Sequence, residues 1–258
     1  MLKPPDDGKA RAVADRASIF PLEVSRLSFS DRGRTLIDDV SFRMEGRGIT
    51  ILMGANGAGK SLLMRLLHGL LQPTSGTITW GGRPLDVEVR ARQAMVFQRP
   101  TMLRRSAEDN LRFVLGHLPG PAQDARVEEL LADAKLEHIR KTPARLLSGG
   151  EQQRLAIARA RATDPDVLFL DEPSASFDPA STFAIEELIR RVHADGTKII
   201  LITHNVGQAR RLADDVVFVS RGRIDTHQPA AEFFAKPRSR TARAYLEGRL
   251  DLDALDYL

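Results

Sequence analysis

Cysteine is absent from all 258 residues. Its absence excludes disulfide staples and thiolate metal sites, although it does not by itself identify a compartment. Aromatic residues are scarce, with one tryptophan, two tyrosines and 5% of the chain in total. No stripe interleaves rings with basic residues in the way that stacks single-stranded nucleic acid. Long hydrophobic runs are also missing. The longest, Val167 to Leu170 and Ile199 to Ile202, are strand length, far below the ~20 apolar residues that cross a bilayer. The opening stretch MLKPPDDGKARAVADR is polar and charged and lacks the apolar core of a secretory leader; residues 1–18 are read as a disordered tail, and the chain is expected in the cytoplasm. No sign of charge dominates, because 38 Lys and Arg are interleaved with 34 Asp and Glu for a net +4. Such spreading describes solvated helix faces, and no nucleic-acid partner is expected.

What is present is a globular composition, 42% hydrophobic, in a chain long enough to bury a sizeable core. Short strand-like alternations (Leu22 to Leu27, Val40 to Met44, Ile49 to Met53) open the chain, and a helix is expected at about 60 to 71. Strands follow near Thr77 to Trp80 and Ala94 to Phe97. From about 106 to 162 the apolar spacing is helical, through Leu111, Val114 and Leu115 and then Val127, Leu130 and Leu131. Strands return at 167 to 170, 199 to 202 and 216 to 219, separated by helices at about 180 to 193 and 206 to 212. That alternation predicts a largely parallel, covered sheet. Residues 19–98 and 163–229 are therefore expected to form one core, 99–162 a helical insert, and 230–258 a helical extension.

Gly54-Ala-Asn-Gly-Ala-Gly-Lys-Ser61 fits G-x-x-x-x-G-K-[ST] directly after an apolar strand and before a helix. A glycine-rich turn without function would not need that ending in that place. Through Gly54, Asn56, Gly57, Ala58, Gly59 and Leu62 the loop is expected to cradle nucleotide phosphates; Lys60 supplies a point charge to the β- and γ-oxygens, and the Ser61 hydroxyl is placed for Mg²⁺. The strand Val167 to Leu170 ends in Asp171-Glu172-Pro173, which presents Asp171 for the metal shell and Glu172 as a general base for water. In Leu147-Ser-Gly-Gly-Glu-Gln-Gln-Arg154, Ser148 and Glu151 have capping-box spacing. Gly149 and Gly150 each give up about 1 kcal/mol of helix propensity relative to alanine. Bare amides at a helix start suit an anion.

The glycine loop, LSGGEQQR, VLFLDEP, the following Ser174-Ala-Ser-Phe-Asp178, and His204 after KIILIT together resemble the ATP-binding cassette ATPases, over about residues 20 to 235. The resemblance implies a P-loop NTPase fold of α/β class, RecA-like, with an antiparallel β subdomain and an inserted helical subdomain. By the same resemblance Gln98 contacts Mg²⁺ and water, His204 contacts the γ-phosphate and supports Glu172, and Phe29 lies against adenine. Ser148, Gly149 and Gly150 of one copy grip ATP held by another, in a head-to-tail homodimer with Asp178 at the seam. The motifs depart from the family pattern at Ala55, at Leu62, where threonine is usual, at Ala175-Ser176-Phe177, and at Arg161, which stands where an apolar residue is usual.

A lone cassette implies separate integral membrane subunits, met near Arg99 to Arg105 through Met102 and Leu103, with a solute-binding protein behind them and a peripheral place on the cytoplasmic face of the inner membrane. That loop, GKSLLMRLLHGLL and PAAEFFAKPRSRTARAYLEG are most similar to ATPase subunits of bacterial tungstate importers; phosphate and polar amino-acid importers are the alternatives. A soluble chromosome-type ATPase would need coiled-coil arms, and no heptad run exists. A ribosome-associated regulator would normally carry two cassettes, whereas one P-loop is present.

Overall fold

The computed structural model describes residues 18–249. The expected N-terminal tail, apart from residue 18, and residues 250–258 of the expected extension lie outside the described residues.

Two sheets organise the chain. In the smaller, β1 (Leu22–Asp31) pairs antiparallel with β2 (Arg34–Met44) on one side and β4 (Ser75–Trp80) on the other, with β5 (Arg83–Pro84) outermost. The β1–β2 hairpin turns at Arg32 and Gly33, both with positive φ (48° and 78°), the geometry that matches strand twist. β2 begins six residues before the expected Val40. Its alternation is broken at Asp39, whose φ of 49° marks an irregularity that pairs Leu27 with Val40 but Phe29 with Ile37. Two inward residues three apart do not read as a strand in sequence.

The larger sheet has the order β10-β9-β3-β8-β7-β6. Its members are β3 (Ile49–Met53), β6 (Gln93–Val96), β7 (Val167–Asp171), β8 (Lys198–Ile202), β9 (Asp215–Ser220) and β10 (Arg223–Pro229). All pair in parallel except β10, which folds back on β9. The sequence does not announce β10, because RIDTHQP has one aliphatic residue, Ile224, and no apolar alternation. β3, β7 and β8 are buried along their whole length, as parallel strands covered on both faces must be.

Covering follows from the two-residue period of each strand. Ile49, Ile51 and Met53, with Leu168 and Leu170, join α3 (Ala107–Val114), α4 (Gly120–Ala134), α5 (Gly149–Arg161) and α6 (Pro179–Ala194) in one core. Leu52, Val167 and Phe169 point the other way, into a second core with α1 (Lys60–His68), α2 (Val87–Ala91) and the small sheet. α1 stops three residues short of the expected 71, because Gly69 adopts φ 82° and donates to Leu66, a left-handed cap. Among the described residues the C-terminal extension forms two helices, α8 (Ala230–Ala235) and α9 (Arg240–Leu246), interrupted near Pro237, which cannot continue a helix. Among the described residues, no helix is long and apolar enough to cross a membrane.

Arg161 has a physical account in the packing of the helices. Its guanidinium, only 11% exposed, bridges Asp133 on α4 and Asp195 beyond the end of α6, tying three helices together. An apolar residue there would leave Asp133 half-buried without this partner. Arg161→Ala is expected to cost about 2 kcal/mol, below the range for fully buried pairs because Asp195 is half exposed. That corresponds to a melting midpoint lower by roughly 4–8 °C for a chain of this size. An unchanged midpoint in a calorimetric scan would show the bridge to be dispensable.

Candidate active site

β3 delivers the chain into the loop Gly54 to Gly59, and α1 begins immediately after it. Gly59 has φ 102°, a backbone conformation that residues with a Cβ rarely adopt, so the turn into α1 requires glycine. No side chain caps α1 and no acid stands in its first turn. Its first amides are therefore open to an anion, with the helix dipole behind them. Lys60, buried, donates through Nζ to the carbonyls of Gly54 and Ala55, each at 2.8 Å. Burial lowers its pKa, and the charges of Glu172 and Asp171 oppose that shift. Leu62 packs its side chain on the second core, which accounts for the absent hydroxyl.

Ser61 Oγ donates to Asp171 Oδ1 at 3.1 Å, joining the first turn of α1 to the end of β7. Burial pushes the Asp171 carboxyl up, opposed by the Ser61 hydrogen bond. A hydroxyl and a buried carboxylate beside an ammonium fit a hard cation that takes its remaining oxygens from phosphates and water. Among the described residues no cluster of three or more His, Asp or Glu side chains could hold a metal ion by itself.

Glu172 follows Asp171 with φ 48°, held there by its amide donating to Ile202 on β8 at 3.0 Å. One carboxylate oxygen, Oε2, meets both Gln98 Nε2 at 3.5 Å and His204 Nδ1 at 3.1 Å. Three residues from the ends of β6, β7 and β8 thus converge on one point, at the carboxyl edge where open α/β sheets bind ligands. Phe29 is half-buried on β1 opposite Ile37, one strand removed from the glycine loop.

Ser148 caps α5 by the expected reciprocal box with Glu151. The two glycines also have a reason inside the chain that their sequence context does not disclose. A Cβ on Gly149 would come within 2.8 Å of the Phe177 ring, and one on Gly150 within 2.9 Å of Ser181 Cβ. Both allow α5 to approach the turn where Asp178 caps α6 by accepting from the amides of Ala180 and Ser181. Hydrogen bonds from Ser181 and these amides hold the Asp178 carboxyl below its usual range. A cleft of about 300 Å³ lies between Gln98 and Phe177, with Gly149 and Gln152 on its wall.

The Arg99 to Arg105 loop is held against the helices. Arg159 donates to the Thr101 carbonyl at 2.8 Å, Gln153 to that of Phe97 at 3.3 Å, and buried Asn110 accepts from the Leu103 amide at 3.0 Å. Met102 and Leu103 are both half-buried, and Met102 packs one side against the core. Further apolar surface beside the loop comes from Phe97, 41% exposed, and Phe113, 59% exposed, with the Arg105 guanidinium 5.5 Å from the Phe113 ring centre. Neither ring stands out in sequence, where a lone phenylalanine at a strand end, as Phe97, or on a helix, as Phe113, reads as core.

Fold and site together define a P-loop nucleoside triphosphatase. A sequence profile described as ABC transporter matches residues 37–175, and the chain belongs to that family. It is 35% identical to the phosphate import ATP-binding protein PstB 2 of Mycobacterium tuberculosis over 93% of each chain. It is 37% identical to the methionine import ATP-binding protein MetN of Nocardia farcinica over 84% of this chain and 68% of that one. The solved structure of cbiO1 from Clostridium perfringens, part of the ABC transporter complex cbiONQ, superposes with a TM-score of 0.77 at 28% identity, covering 94% and 100% of the two chains. The protein is accordingly the ATPase subunit of an ABC transporter, binding ATP with Mg²⁺ and hydrolysing it.

Proposed function

We propose that this chain powers an oxyanion importer, acting as a head-to-tail homodimer on the cytoplasmic face of the membrane beneath separate permease subunits. The observation that carries the catalytic reading is the meeting of Gln98 and His204 on a single oxygen of Glu172, next to the Ser61–Asp171 pair. Glu172 takes the proton of the attacking water. His204 and Gln98 hold that carboxylate in place, and Gln98 extends toward the metal and water. The amides of the loop and first turn of α1, from Gly54 to Leu62, and the Lys60 ammonium hold the phosphates, Ser61 and Asp171 hold the cation, and Phe29 stacks on adenine. A bound Mg²⁺ neutralises charge developing between the β- and γ-phosphates. Ser148, Gly149, Gly150 and Asp178 complete the site of the partner copy, and Phe97 and Phe113 join the Arg99 to Arg105 loop in receiving the permease.

Import is supported by the names of the relatives, and an oxyanion by the phosphate importers among them. Tungstate is the oxyanion favoured by the sequence resemblance. Methionine importers of similar identity support an amino-acid solute instead. The solute does not touch this chain, so discrimination belongs to the assembled transporter. Reconstituted in vesicles with the permease and solute-binding protein, the complex is expected to accumulate tungstate in an ATP-dependent manner and to accumulate phosphate more slowly. Methionine uptake without oxyanion uptake would replace this reading with the amino-acid one. Recovery of the chain with nucleic acid at physiological salt, and with no membrane subunit, would remove transport altogether.

A further inference from the structure

The C-terminal helices reach the reaction centre from behind. Tyr245, on α9, donates its hydroxyl to the backbone carbonyl of His204 at 3.3 Å. Its ring packs edge-on against Phe218 of β9, with centroids 5.4 Å apart, and Phe218 in turn meets Phe233 of α8 at 6.0 Å. A second grip lies six residues along from His204. There the Arg210 guanidinium, on α7 (Val206–Leu212), sits 4.6 Å from the centre of the neighbouring Phe234 ring. The segment that opens with His204 is thus held at both of its ends by aromatic residues of the C-terminal helices, in a chain with few rings. Burial, and then the charge of Glu172, push the Tyr245 phenol up, and a phenol is a donor at neutral pH in any case.

We propose that Tyr245 is a positioning residue for ATP hydrolysis: its hydroxyl fixes the His204 backbone and so aims the imidazole at Glu172. The inference rests on the roles given to His204 and Glu172 above. It makes the C-terminal segment part of the catalytic apparatus, and whatever displaces α9 releases His204 from its carboxylate.

Tyr245→Phe keeps the ring on Phe218 and removes only the donor, which isolates the effect from packing. In the full-length chain, kcat is expected to fall about threefold to tenfold, the loss of one net hydrogen bond, with KM for ATP unchanged and the melting midpoint lowered by no more than about 4 °C. In a His204→Ala background, measured by single turnover, Tyr245→Phe is expected to add nothing, because its action passes through the missing imidazole. Wild-type kcat in Tyr245→Phe, alongside a disabled His204→Ala, would overturn the positioning role and leave the site reading standing. A full additional loss in the His204→Ala background would overturn it as well. Wild-type turnover in His204→Ala alone would remove the site reading and this inference with it.

Discussion

Glu172→Gln is expected to slow ATP hydrolysis by a factor of about 10² to 10⁴, the range that a positioned general base supplies, while ATP still binds. The amide matches the carboxylate in size and leaves undisturbed the backbone bond from residue 172 to Ile202. It removes only the ability to take a proton at the oxygen where Gln98 and His204 meet. The groups read as phosphate and cation ligands, Lys60, Ser61 and Asp171, lie on α1 and β7 and are untouched. With hydrolysis blocked and binding intact, the proposed dimer has no route back to separate chains. Size-exclusion chromatography with ATP and Mg²⁺ is then expected to show a species of twice the mass. Near-normal turnover would transfer the base role elsewhere, and elution as a single chain would remove the dimer from the scheme.

Ser148→Arg is the second large effect. Ser148 is exposed at the start of α5, and its side chain meets Glu151 of its own helix. Losing that cap costs about 1 kcal/mol, too little to unfold a domain whose α5 is otherwise buried among α4 and α6. Under the proposed arrangement, however, the arginine places bulk and charge where amides of one copy grip the terminal phosphate held by the other. Withdrawing such preorganised donors typically costs about 10² to 10³ in rate. Turnover is therefore expected to drop about a hundredfold or more, with nucleotide binding to the single chain within about twofold of wild type, read by equilibrium titration with a fluorescent ATP analogue. Unimpaired turnover would show that Ser148 is nothing more than a helix cap.

Both experiments concern residues that are legible in the sequence alone, and the reason is that their chemistry is local. A strand, a glycine turn and a helix start lie within about thirteen residues of one another around Lys60, and a buried strand hands its terminal acids directly to the sheet edge at Asp171 and Glu172. Contacts that join distant stretches are not legible. Phe177 looks like a departure in sequence and proves to be what presses on Gly149; nothing in their wide separation along the chain announces it. Arg161 looks misplaced because its partners, Asp133 and Asp195, sit 28 and 34 positions away. Met102 shows half of its surroundings in sequence: it reads as a surface residue of a basic loop, and the bonds from Asn110 and Arg159 that bring the loop against the core leave it half-buried. The first half of β2 is hidden by the irregularity at Asp39, which shifts the inward-facing positions out of step.

The place of β6 in the larger sheet has a mechanical outcome. Gln98 follows the outermost strand, which is bonded to β7 on one flank alone, whereas Glu172 and His204 follow strands clasped on both flanks. Under the proposed docking, a push from the permease entering by the loop after Gln98 would act on a strand with one bonded flank and slide the glutamine relative to two neighbours seated on doubly bonded strands. Signal and bond-breaking would then be separated by how many neighbours each strand has.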